Sequence, residues 1–162
     1  MQPEIKNLLY EAQDHYLKPE EIKNFKHYAS SIAQRLEIYE LLRDREIAIF
    51  QPVADQLLKS FPQEKQETLE RSLKSWLSVL RYCAMAMLLN NPEFLQRRLL
   101  EWLTDLVRAH QETQAIEITL HQLLLARLKE LFSRQQLALM QPFLAQAEEA
   151  LLGTGGLVKL PG

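Results

Sequence analysis

The chain has 162 residues, 47% of them hydrophobic and 25% charged, with a formal net charge of −2. That is enough for one domain with a real core, and too apolar for disorder. A charge so close to neutral excludes a general electrostatic affinity for nucleic acid or acidic lipid. Cys83 is the only cysteine, which excludes an internal disulfide and a multi-cysteine zinc cluster and fits a reducing cytosol. The start, MQPEIKNLLYEAQDH, has early acids and lacks the apolar h-region of a signal peptide. No uncharged apolar run approaches the ~20 residues of a membrane span. All four glycines lie at or after Gly153. Tight hairpins and phosphate loops need glycine, so residues 1–152 read as one all-helical domain and 153–162 as a flexible tail. The same absence removes the P-loop, the dinucleotide fingerprint and the nucleophile elbow.

Prolines mark the helix starts. Pro3, Pro19, Pro62 and Pro92 each stand where a first turn tolerates them. The first helix is expected over about 3–15, with Ile5, Leu8, Leu9 and Ala12 as its apolar stripe. A short link, Tyr16-Leu17-Lys18, should turn the next helix back beside it. That helix, over 19–44, opens on Glu20 and Glu21 at the positive end of its dipole. Its stripe is Ile22, Phe25, Ala29, Ile32, Leu36 and Tyr39, continuing to Leu42. The next helix, over about 46–61, carries Ile47, Phe50, Val53, Leu57, Leu58 and Phe61, with Pro52 expected to break or kink the chain in the turn before it.

Helices over about 64–90 and 92–111 meet at the corner Asn90-Asn91-Pro92. In the first, Leu73, Trp76, Leu77, Leu80, Ala84, Met87 and Leu88 share a face, and the run from Cys83 to Leu89 has no strongly polar residue, so burial on all sides is expected there. In the second, Leu95, Leu99, Trp102, Leu103 and Leu106 form the stripe. After a weak link at Gln111–Gln114, a helix over about 115–132 carries Ile116, Leu120, Leu123, Leu124, Leu128 and Leu131. Ser133 is the expected N-cap of the last helix, in which Pro142 is a candidate bend.

The residues give enzyme chemistry little support. Glu11 with His15, and Glu117 with His121, stand four apart and could place two metal ligands on one face. Nothing completes either set, so both pairs read as surface hydrogen bonds or ion pairs. His110 is the only histidine near a proximal haem position, and no histidine of the preceding helix faces it, so a solvated helix end is the favoured role. Cys83 sits in apolar sequence without a nearby histidine and reads as inert packing.

Several local motifs, in order, carry a resemblance. Tyr16-Leu17 is followed by Lys18-Pro19-Glu20-Glu21; Phe61-Pro62 makes a corner; Leu80-Arg81-Tyr82 precedes Ala84, Ala86, Leu88 and Leu89; and Arg98 to Leu103 holds Trp102 where the pattern has glycine. From about Ala12 to Arg108 the chain thereby resembles the phycobiliprotein family, the globin-like light-harvesting subunits of cyanobacterial phycobilisomes. The C-terminal third is shorter and matches poorly. The resemblance implies an all-α globin-like fold with an N-terminal helical hairpin. It also implies that this hairpin makes dimers by packing on a partner's globin body.

The departure from the family pattern is as informative. Family members attach a linear tetrapyrrole to a cysteine eight residues before the Leu of Leu-Arg-Tyr, and Ser72 stands there. The Arg-Asp pair that follows the cysteine is replaced by Lys74 and Ser75. Cys83 is eleven residues further on, roughly 16 Å along a helix axis, and cannot stand in. The resemblance therefore implies a non-catalytic interaction protein without covalent bilin. It would be an accessory factor for assembly, repair or turnover of phycobilisomes or photosystems. Its partners would be their subunits and a second copy of itself, in the cytoplasm or peripheral at the thylakoid membrane. The alternative is a carrier of a non-covalent bilin or chlorophyll-type tetrapyrrole, held beside Trp76, Tyr82, Met85 and Trp102.

Overall fold

The computed structural model describes residues 3–109 and 113–153, and all regular structure among them is helical. His110 and the tail beyond Gly153 lie outside the described residues. The chain divides into two compact units, Met1–Glu37 and Ile38–Gly162.

The first unit holds α1 (Pro3–Asp14) and most of α2 (Pro19–Asp44). Each begins on its proline, as the first-turn rule requires. The carboxylate of Glu21 accepts from the backbone N–H of Lys18 at 2.8 Å, the reach-back half of a capping box, which ties the start of α2. The apolar stripe of α2 is not buried in this unit: Ile22, Phe25, Ile32 and Leu36 are 41%, 46%, 42% and 44% exposed. The half-covered side of the helix instead carries Glu21, Tyr28, Ser31 and Arg35. On α1, Ile5 and Leu8 are half-buried, while Leu9 and Tyr10 are exposed.

The second unit contains the hydrophobic core. Ile38 and Leu42 of α2 enter it, followed by α3 (Glu46–Ser60), α4 (Gln66–Leu89), α5 (Pro92–Leu95), a π-helical turn (Gln96–Leu100), α6 (Glu101–Ala109), α7 (Gln114–Leu131) and α8 (Arg134–Leu152). α3 packs on α7, α4 packs on both α7 and α8, and α6 lies against α8. Fully buried Ile49, Leu57, Leu99, Leu120 and Leu128 fill the spaces between them. Each such side chain gives roughly 1.5–3 kcal/mol of transfer free energy.

Helix ends follow local chemistry. Ser133 and Gln136 form a reciprocal capping box at the start of α8. Asn91 caps α5 by accepting from the Phe94 N–H at 3.2 Å. α8 ends on Gly153 at φ 70, a conformation glycine adopts without a Cβ clash.

Three expectations change. Pro52 lies inside α3 without breaking it, while the boundary with α2 falls at Arg45, between the expected ranges 19–44 and 46–61. Proline cannot donate to the carbonyl four residues back, which is Ala48, and Arg127 of α7 donates its Nε–H to that oxygen at 3.0 Å instead. The run from Cys83 to Leu89 is not buried on all sides, because Leu89 ends the helix half in solvent, at 47% exposure. Trp102 leaves the predicted core stripe and is 53% exposed. The π turn adds a residue to the helical cycle, so Leu99 and Leu100 both point inward and Trp102 is rotated out. Its indole N–H then folds back to donate to the Arg98 carbonyl at 2.8 Å.

Candidate functional site

α4 presents two faces that bear on ligand binding. On the inner face, Ser72 and Trp76 lie one turn apart and are each 2% exposed. Opposite them, α7 places Glu117 and His121, also one turn apart and also buried. The Ser72 hydroxyl donates to one carboxylate oxygen of Glu117 at 2.6 Å, and the Trp76 indole N–H donates to the other at 2.5 Å. A buried carboxylate is costly unless hydrogen-bonded, and here both oxygens are engaged. The imidazole of His121 lies against the Trp76 ring, with centroids 5.1 Å apart. Its Nε2 is 3.9 Å from a carboxylate oxygen of Glu148 on α8 and makes no hydrogen bond among the described residues. Burial holds His121 below the usual imidazole pKa, partly offset by the charge of Glu148.

These positions correct the sequence expectation for Glu117 and His121, which is a surface pair. The signal was present: both are in phase with Leu120, Leu124 and Leu128 on the covered side of α7. What the sequence did not reveal is the donor pair on α4 that makes a carboxylate tolerable there. Glu11 and His15 are exposed, as expected of a surface pair. Cys83 is fully buried, 3.6 Å from the Phe143 carbonyl oxygen, and burial pushes its thiol up to about 12. It is an inert packing group at neutral pH.

The outer face of α4 is polar. Arg71, Lys74, Ser75 and Ser78, with Trp102 and Leu103 of α6, line an open groove of about 420 Å³. Glu67 and Glu70 border it, so the two cations are balanced by two acids. Tyr82 and Met85 continue the Ser75–Ser78 stripe at helical spacing and are half-buried. Tyr82 stacks on Phe94 with centroids 5.9 Å apart. Of the four residues named for pigment contact, Trp102 lines the groove, and Tyr82 and Met85 lie along the same stripe of α4. Trp76 is not brought to it, since its ring is buried and its N–H is held by Glu117. Ser72 and Lys74 thus separate: the hydroxyl faces the core, and the ammonium faces the groove.

A second, smaller groove of about 240 Å³ lies between the end of α2 and α4. Its rim is the two-pronged pair in which Arg81 donates to both oxygens of Glu46, at 2.7 and 3.0 Å. That contact holds the Glu46 carboxyl below its ordinary pKa. No group of three or more His, Cys, Asp or Glu side chains that could hold a metal ion occurs among the described residues. No helix among them is long and apolar enough to cross a membrane.

A family model described as "Phycobilisome protein" matches residues 8–151. No curated protein matches the chain.

Proposed function

The chain belongs to the phycobilisome protein family, and we propose that within it the protein is a non-catalytic member without covalent bilin that works through protein contacts. In this reading it is an accessory factor in the assembly, repair or turnover of phycobilisomes or photosystems, acting in the cytoplasm or at the thylakoid surface. The observation that carries the reading is the state of Ser72. At the position where the resemblance expects a bilin-bearing cysteine, the side chain is a hydroxyl, is buried, and already donates to Glu117. A hydroxyl is a far weaker nucleophile than a thiolate, and this one, 2% exposed, has no access to a ligand. Cys83, the only thiol, is sealed in the core. The scaffold keeps its packing while its pigment anchor serves as a core contact.

The second support is the uncovered apolar stripe of α2, whose Ile22, Phe25, Ile32 and Leu36 lie open to solvent. Apolar side chains in a continuous exposed line mark a binding face. Phycobilisome or photosystem subunits, and a second copy of the chain, are the partners this reading assigns. Affinity capture from cells that build phycobilisomes tests it. Co-purification of identified antenna or photosystem subunits with a colourless protein supports the reading. A protein that carries a bilin through denaturing electrophoresis overturns it.

The groove beside Trp102 favours one alternative, a non-covalent tetrapyrrole carrier. Its volume falls in the range of small-molecule sites, and Arg71 and Lys74 offer cations to carboxylate side chains of such a ligand. A visible absorption band that survives gel filtration but not denaturation would select this alternative.

A further inference from the structure

We propose that His121 is an acid-operated latch on the end of α8: when its imidazole takes up a proton, the turn 148–152 comes away from α7 while the rest of the helical body stays folded. The ring is 5% exposed, and its Nε2 makes no hydrogen bond among the described residues. A neutral imidazole is tolerated in such a place, but a charged one without water or a partner is costly. Trp76 of α4 lies against one side of the ring, with centroids 5.1 Å apart. Glu117, one turn back on α7, has its two carboxylate oxygens engaged by Ser72 and Trp76. Glu148 of α8 faces Nε2 from 3.9 Å. α3 also packs on α7, yet among the described residues Glu148 is the charge that acts on the ring.

A proton on His121 is therefore relieved from one direction. Trp76 and Glu117 are fixed by their hydrogen bond on the sealed side, whereas the Glu148 side chain is 33% exposed and lies where water reaches it. At 3.9 Å this carboxylate is too far for a hydrogen bond, and burial of the ring outweighs its attraction. The element on that side is also the one that yields most easily. α8 ends at Leu152, one turn beyond Glu148. Among the described residues, the side-chain tie of this turn to α6 is the Thr104 hydroxyl, which donates to the Ala150 carbonyl at 3.5 Å, long for such a bond. Just upstream, Gln146 donates to the Pro92 carbonyl at 2.9 Å and holds the preceding turn in place. Helix ends open at lower free energy than core segments. Hydrating the imidazolium thus requires one turn of α8 to open and not the fold. It uncovers Leu151 and Leu152, which are buried in the closed chain.

The test is native-state hydrogen exchange on the full chain, corrected for the intrinsic exchange rate at each pH. Amides of the turn 148–152 are expected to exchange through an opening far easier than that of the fully buried Leu57 and Leu120. Their protection should fall several-fold, to a limit of about tenfold, as pH drops from about 7.5 to about 5.5, because the opened ring titrates near about 6.5. His121→Phe should keep the easy opening and lose its pH dependence. Glu148→Gln should enlarge the fall, since it removes the charge that helps the closed ring keep its proton. That comparison decides the matter even where His121→Phe does not fold. Protection at 148–152 as high as that of Leu57 overturns the latch. So does an easy opening that ignores pH, one that keeps its pH dependence in His121→Phe, or one that Glu148→Gln leaves unchanged.

Discussion

Ser72 and Glu117, 45 residues apart, are joined by a hydroxyl-to-carboxylate hydrogen bond of 2.6 Å in the core. With the Trp76 indole N–H on the other oxygen, this bond fixes α4 against α7. It also turns the position expected to anchor a pigment away from the outer groove. A test of Ser72→Cys follows. The new thiol should stay buried and without bilin when the protein is co-produced with bilin synthesis and attachment enzymes. Zinc-enhanced fluorescence on a denaturing gel reads the outcome, and a fluorescent band would show that position 72 is open to bilin.

Glu117 is the acceptor for two buried donors, so its removal should be costly. Glu117→Ala leaves the Ser72 O–H and Trp76 N–H without partners, at roughly 1–3 kcal/mol each. A loss of roughly 2–5 kcal/mol in urea unfolding is expected, with Glu117→Gln losing less because its amide oxygen still accepts one bond. An unchanged midpoint for Glu117→Ala would mean that the donors find other partners.

His121 should make stability depend on pH. Its folded pKa lies below the ordinary imidazole value, first because of burial and against a smaller opposing pull from Glu148. The unfolded chain therefore takes up the proton more readily than the folded one, and stability falls as pH drops. The contribution is complete above about pH 6.5, the unfolded value, and is lost as pH falls toward the depressed folded value. Glu46, whose pKa is lowered by Arg81, acts in a more acidic window, because its contribution is lost only below the ordinary carboxylate value. His121→Phe should flatten the slope of the urea midpoint between about pH 7.5 and 5. An equal slope in both proteins would remove His121 from the account.

The two tryptophans should separate spectroscopically. Trp76 is buried against His121, whereas Trp102 is half exposed at the groove. Acrylamide should quench a fraction of the emission that disappears in Trp102→Phe. That substitution should change stability by less than about 1 kcal/mol, since it removes a surface ring held by one hydrogen bond to its own helix. If Trp102 also marks a tetrapyrrole site, added bilin should quench the same fraction, and Trp102→Phe should abolish that response.

Much of the fold is legible in the sequence because local rules write it. Prolines open α1, α2 and α5, Ser133 caps α8, and the missing glycine excludes hairpins. The fold class follows from periodicity together with the Leu80-Arg81-Tyr82 and Phe61-Pro62 resemblance. The features that were not legible depend on tertiary partners. The π turn at Gln96–Leu100 is a one-residue slip that packing decides, and it moves Trp102 from core to groove. Pro52 is carried inside α3 because Arg127, from another helix, serves the Ala48 carbonyl. Glu117 and His121 looked like surface residues because polar type outweighed phase. Their burial becomes affordable only with the Ser72 and Trp76 donors in place. The open stripe on α2 has the same pattern as a buried one, and only accessibility separates them.

The most direct measurement for the central claim is the intact mass, under denaturing conditions, of the protein purified from cells that make bilins and phycobilisomes. The expected mass is that of the bare polypeptide, 19.0 kDa, because Ser72 is engaged in the core and Cys83 is sealed. A mass increased by a bilin at any residue would contradict it.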